Sequence, residues 1–91
     1  MSKVQIHPSA SIDSGAQIGE GSMIWVNVQI REGTKIGKNC ILSKDVYIDC
    51  NVSIGDECKI QNSVSVYDGV TIESLQGNEL LDCIFTYKNY N

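Results

Sequence analysis

The sequence predicts an all-β fold in which the chain winds into a parallel β-helix of about four coils, closed by a short C-terminal capping segment. Three observations predict it: an aliphatic residue at every sixth position, a second column of small residues four places on, and turn formers between the two. The first column runs Ile6, Ile12, Ile18, Ile24, Ile30, Ile36, Leu42, Ile48, Ile54, Ile60, Val66 and Ile72. The second runs from Ala10 and Ala16 through Ser22, Val28, Thr34, Cys40, Val46, Val52, Cys58 and Val64 to Val70. Their spacing alternates between four and two, which a period of 3.6 cannot hold, so no α-helix is expected through Ile72. A continuous pleated strand would need a period of two throughout, whereas the intervening positions are mostly polar.

The chain must therefore turn every six residues. The position before each small residue agrees, because Gly15, Gly21, Asn27, Gly33, Asn39, Asp45, Asn51 and Gly69 are types that tolerate a left-handed backbone. Each hexad is then one short strand and one tight turn. Three hexads close a triangular coil of eighteen residues, and successive coils stack at about 4.8 Å, the spacing of neighbouring strands.

The repeat ends at Glu73, which divides the chain into a coil body, 1–73, and a capping segment, 74–91. In that segment Asn78, Leu80, Leu81, Ile84 and Phe85 fit a short amphipathic helix with Asn78 as its N-cap. The run from Cys83 to Tyr87 fits a strand as well. Either form is expected to cover the open edge of the last coil.

Composition excludes several classes. At 91 residues and a net charge of −4, the chain has room for one domain and no electrostatic footprint for nucleic acid or an anionic membrane. No apolar run reaches membrane-spanning length, and Met1 to Gln5 carries no secretory signature, so the expected location is cytoplasmic. Cys40, Cys50, Cys58 and Cys83 form no CxxC pair, and no metal site is expected. Cys40 and Cys58, eighteen residues apart, read as an inward ladder of small hydrophobes, and Cys50 as a surface residue. So small a body has a thin core, which points to a homo-oligomer.

Candidate functional residues are few. His7 reads as a surface residue in the first coil, with general base as the sharper alternative. Trp25 points outward and reads as a subunit interface, a ligand wall or a plain surface residue. Gln61, Asn62 and Tyr67 are outward polar groups on the last full coil. The carboxylates form no dyad, and the glycines belong to hexads rather than to a phosphate loop.

Several stretches carry a family resemblance: Ile6-His7-Pro8-Ser9-Ala10, Gly19 to Trp25, Ile36-Gly37-Lys38-Asn39-Cys40, and Lys59 to Val70 with its Gln61-Asn62-Ser63-Val64-Ser65-Val66-Tyr67 core. They resemble hexapeptide-repeat acyltransferases, and among these the bacterial sugar-nucleotide 3-amino N-acetyltransferases. The resemblance implies a left-handed coil, a homotrimer with its sites between subunits, acetyl-CoA as co-substrate and a nucleotide-sugar acceptor used in surface-polysaccharide synthesis. It also implies Gln61, Asn62 and Tyr67 as substrate contacts. Relatives carry histidine just after the Ile-Trp pair. Val26 and Asn27 stand here, which leaves Asn27 to orient the amine. The alternative is a shortened, non-catalytic β-helix that serves as an assembly or binding module.

Overall fold

The computed structural model describes residues 3–73 and the strand Cys83–Phe85. Among the described residues there is no helix; every regular element is a short strand. Face A of the triangular coil stacks β1 (Gln5–Ile6), β4 (Met23–Ile24), β7 (Ile41–Leu42) and β10 (Cys58–Ile60). Face B stacks β2 (Ser11–Ile12), β5 (Gln29–Ile30), β8 (Tyr47–Ile48) and β11 (Ser65–Val66). Face C stacks β3 (Gln17–Ile18), β6 (Lys35–Ile36), β9 (Ser53–Ile54) and β12 (Thr71–Ile72). All pairings are parallel, and within the repeat each strand pairs with the strand eighteen residues on, as in Met23↔Ile41 and Ile30↔Ile48.

Both inward columns lie where the spacing puts them. Ile30, Leu42, Ile48 and Ile60 are fully buried, as are Val28, Val46 and Val52. Each such aliphatic side chain removed from water contributes about 1.5–3 kcal/mol. The small column also holds polar groups inside. Ser22 Oγ donates to the Gly37 carbonyl and accepts from the Cys40 N–H, each at 2.9 Å. Thr34 Oγ1 does the same two corners on, donating to the Asp49 carbonyl at 2.7 Å and accepting from the Val52 N–H at 3.1 Å. These hydroxyls tie one coil to the next and leave no buried side-chain polar atom unpaired among the described residues.

The corners explain the turn residues. Asn27, Asn39, Asp45, Asn51, Glu57 and Ser63 all have φ between 57° and 63°, as the tight turn demands. Gly37 meets a different demand, close approach: a Cβ there would lie 2.7 Å from the Gly55 carbonyl carbon and the Asp56 nitrogen.

The helix expected from Asn78 is corrected at its C-terminal part. Cys83–Phe85 is a strand, β13, which extends face A by pairing parallel with β10, Cys58↔Cys83 and Ile60↔Phe85. The open edge of β10 presents unpaired backbone groups that an added strand satisfies and a helix would not. In the sequence Cys83 and Phe85 repeat the spacing of Cys58 and Ile60. Asn78, Leu80 and Leu81 lie outside the described residues.

Candidate functional site

The eighteen-residue register converts sequence positions into a grid on face A. One outward column is Gln5, Met23, Ile41 and Lys59; the next is His7, Trp25, Ser43 and Gln61; the corner column is Pro8, Val26, Lys44 and Asn62. Across this grid runs an open groove of about 380 Å³, from Met23, Trp25 and Val26 past Ile41, Ser43 and Lys44 to Lys59 and Asn62. Its character grades along the coil axis, from apolar at the second coil to polar and cationic at the fourth. Trp25 is 49% exposed, far above what its apolar ring would keep in a sealed site.

The groove is electrostatically one-sided. Among the described residues no carboxylate lines it, although the chain holds eleven Asp and Glu against seven Lys and Arg. The adjacent Asp45 approaches Lys44 Nζ only to 3.8 Å, with both side chains well exposed. Such a pair is worth little, so the lysine charge stays available.

A smaller cleft of about 230 Å³ lies below, between His7, Trp25 and the first-coil residues Gln5 and Ile6. His7 braces its own turn there. Its Nδ1 accepts from the Ser9 N–H at 3.0 Å and lies 2.9 Å from Ser9 Oγ, which in turn accepts from the Asn27 N–H at 2.8 Å. With Nδ1 engaged as an acceptor, the imidazole serves the corner of the coil.

The sequence-derived site residues separate on the structure. Asn62 lines the groove, and Gln61 stands in the column of Trp25 and Ser43 on the same face. Asn27 is the left-handed corner residue beside Val26 and does not line the groove. Tyr67 is exposed beyond β11, stacked over Asp49 on face B. Sequence reasoning missed Lys44 and Lys59. The signal was present, since 26, 44 and 62 are one column and 23, 41 and 59 another.

Face B carries a different constellation. Arg31 donates from Nε to Asp13 Oδ2 and from Nη1 to the Tyr47 hydroxyl, each at 3.0 Å, and so spans three coils. The Tyr47 hydroxyl, then the Asp13 carboxylate, raise the Arg31 pKa further, so the residue is a fixed cation and not a proton donor. Burial raises the Cys40 thiol above its ordinary range. Desolvation and then the Asp49 carboxylate raise Cys50. Neither is an activated nucleophile. Among the described residues no group of His, Cys, Asp and Glu could hold a metal ion, and no helix is long and apolar enough to cross a membrane.

Two family models match the chain: Bacterial transferase hexapeptide (six repeats) over residues 15–50, and Hexapeptide repeat of succinyl-transferase over residues 50–68. Similar solved structures include two point mutants of perosamine N-acetyltransferase from Caulobacter crescentus in complex with CoA and GDP-perosamine. One is 18% identical with a TM-score of 0.46, the other 17% with 0.34. A third is PerB from the same organism in complex with the same two ligands, 18% identical with a TM-score of 0.31. Each match covers 81% of this chain, or of either mutant 54% and of PerB 55%, so the chain spans about half the length of these proteins. No curated protein sequence matches it.

Proposed function

We propose, from the bacterial transferase hexapeptide repeats matched over residues 15–50 and the succinyl-transferase hexapeptide repeat over 50–68, that this chain is an acyltransferase that uses an acyl-CoA, with acetyl-CoA as donor, to acylate the amino group of a nucleotide-linked sugar. The observation that carries the reading is the groove on face A, set on an unbroken run of hexads and ending at Asn62 within the Gln61 to Tyr67 stretch that resembles sugar-nucleotide N-acetyltransferases. In the reaction the amine lone pair attacks the thioester carbonyl. The C–S bond then breaks, CoA leaves as its thiol, and the amine gives up a proton.

Among the described residues no carboxylate or imidazole lines the groove, so its contribution is to position the two substrates. The Asn62 amide accepts from and donates to sugar hydroxyls, and Gln61 stands beside it. Asn27 stands at the corner outside this groove, so it would orient the amine only where a neighbouring copy closes the site over that corner. Tyr67 faces away from this groove, so its contact belongs to the groove of a neighbouring copy. That arrangement fits a homotrimer with sites between subunits, in the cytoplasm, where acyl-CoA and nucleotide sugars are found.

Release of CoA thiol from acetyl-CoA, measured against a panel of nucleotide-linked amino sugars, tests the reading. Turnover with at least one of them is expected, falling by about 10- to 100-fold in Asn62→Ala if its amide positions the sugar. A second reading, a non-catalytic assembly module, rests on the base-free groove. Absence of acetyl-CoA binding by calorimetry at millimolar concentration would select it.

A further inference from the structure

The geometry points to a defined seat on face A for a nucleoside diphosphate, with Trp25 as the platform for the base and Lys44 and Lys59 as the diphosphate contacts. The seat gives residues to the substrate class of the proposed function and rests on that reading only for what is done with the ligand once bound.

Three observations carry it. Trp25 presents an exposed ring beside Met23 and Ile41, a flat apolar surface that water solvates poorly. One coil above Trp25 is the level of Lys44, and two coils above is the level of Lys59 and Asn62. At strand spacing this puts the cations about 5–10 Å from the ring along the axis, the distance that separates a base from its diphosphate across one ribose. Among the described residues the two ammonium groups share a groove with no carboxylate, in a chain of net charge −4, so the site selects an anion against the field of the whole molecule. A purely apolar partner would leave both lysines unused, and a simple anion would leave Trp25 in water. A ligand with a flat aromatic end and a doubly charged middle satisfies both. Nucleotide sugars and CoA share this chemistry.

Trp25 is the single tryptophan, so its emission reports on the seat alone. Titration of the full chain with uridine diphosphate or guanosine diphosphate is expected to quench it, and added salt is expected to weaken binding. Lys44→Gln and Lys59→Gln, both exposed and remote from the core, are each expected to lower affinity by about tenfold. Calorimetry on Trp25→Leu is expected to show several-fold weaker nucleotide binding and unchanged binding of inorganic pyrophosphate, which has no base. Competition by CoA assigns the seat to the acyl donor, and its failure assigns it to the acceptor; either arm keeps the seat. Absence of quenching into the millimolar range overturns the proposal, as does quenching indifferent to both lysine substitutions. Emission that shifts blue with protein concentration and ignores nucleotide also overturns it, and makes the face a contact between copies. The thiol-release assay separates this from the function: nucleotide binding without acyl transfer keeps the seat and rejects the transferase. Acyl transfer indifferent to Lys44 and Lys59 does the reverse.

Discussion

At the scale of single residues, the corners decide most. The turn needs φ near 60°, and asparagine, aspartate and glycine meet that need at low cost. Glu57 and Ser63 hold the same angle without that aptitude, at 58° and 63°. Glu57→Asn is therefore expected to stabilise the protein by about 0.5–1 kcal/mol, read as a higher urea midpoint at unchanged slope. The turn position was legible because most corners carry tolerant residues, and the same spacing then located Glu57. The hydroxyl bridges of Ser22 and Thr34 were not legible, because a small inward residue reads the same whether it packs or also bonds to the coil above.

Cys40 belongs to the same inward column, with its Sγ 3.0 Å from the Gly55 carbonyl oxygen. Its folded pKa is raised, first by burial, so the thiol form is favoured by folding. The associated stability is complete below the unfolded thiol value of about 8.5. It declines as pH rises from there through the folded value, because the unfolded chain loses its proton first. Urea midpoints measured upward from pH 8 are expected to fall more steeply for the native chain than for Cys40→Val. Parallel slopes would show that the thiol contributes nothing to alkaline lability.

At the scale of elements, position along the axis sets the cost of a lesion. Ile6 and Leu42 occupy one inward column on face A, yet Ile6 is 46% exposed and Leu42 fully buried. Coils cover Leu42 above and below, whereas β1 has a coil on one side only. Leu42→Ala is expected to cost about 2–5 kcal/mol and Ile6→Ala less than about 1 kcal/mol in chemical denaturation. Equal losses would mean that the first coil is covered after all. The twelve strands of the repeat were legible from the hexad alone. β13 was not, because a longer connection interrupts the count and three apolar residues suit helix or strand equally. What settles the matter is the free edge of β10, a tertiary feature no local window contains.

At the scale of the whole molecule, each coil touches only its neighbours, so stability is a sum along one axis. The site follows the same logic. Trp25 and Asn62 could be named from the sequence as outward residues, but their common groove exists only because the register holds across three coils. Tyr67 and Asn62 read alike in the sequence, as outward polar residues of one coil. Five residues along a six-residue hexad carry a side chain to the next face, so closeness along the chain is separation in space.

The constant register makes residue number a kind of longitude. Remainder on division by eighteen fixes the meridian on which a side chain stands, and the quotient fixes its altitude. Lengthening the chain by one hexad between Ile30 and Ile36 leaves both inward columns in phase, so the fold is expected to survive with nearly native far-ultraviolet dichroism. Every residue downstream moves to the next meridian, and Lys44, Lys59 and Asn62 part company with Trp25. Lengthening by three hexads returns them to the original meridian, raised by one storey of about 4.8 Å. Nucleotide quenching of Trp25 is expected to vanish in the first variant and to persist, weakened, in the second. A molecule built this way can exchange whole faces between positions at the cost of a six-residue duplication, without disturbing what keeps it folded.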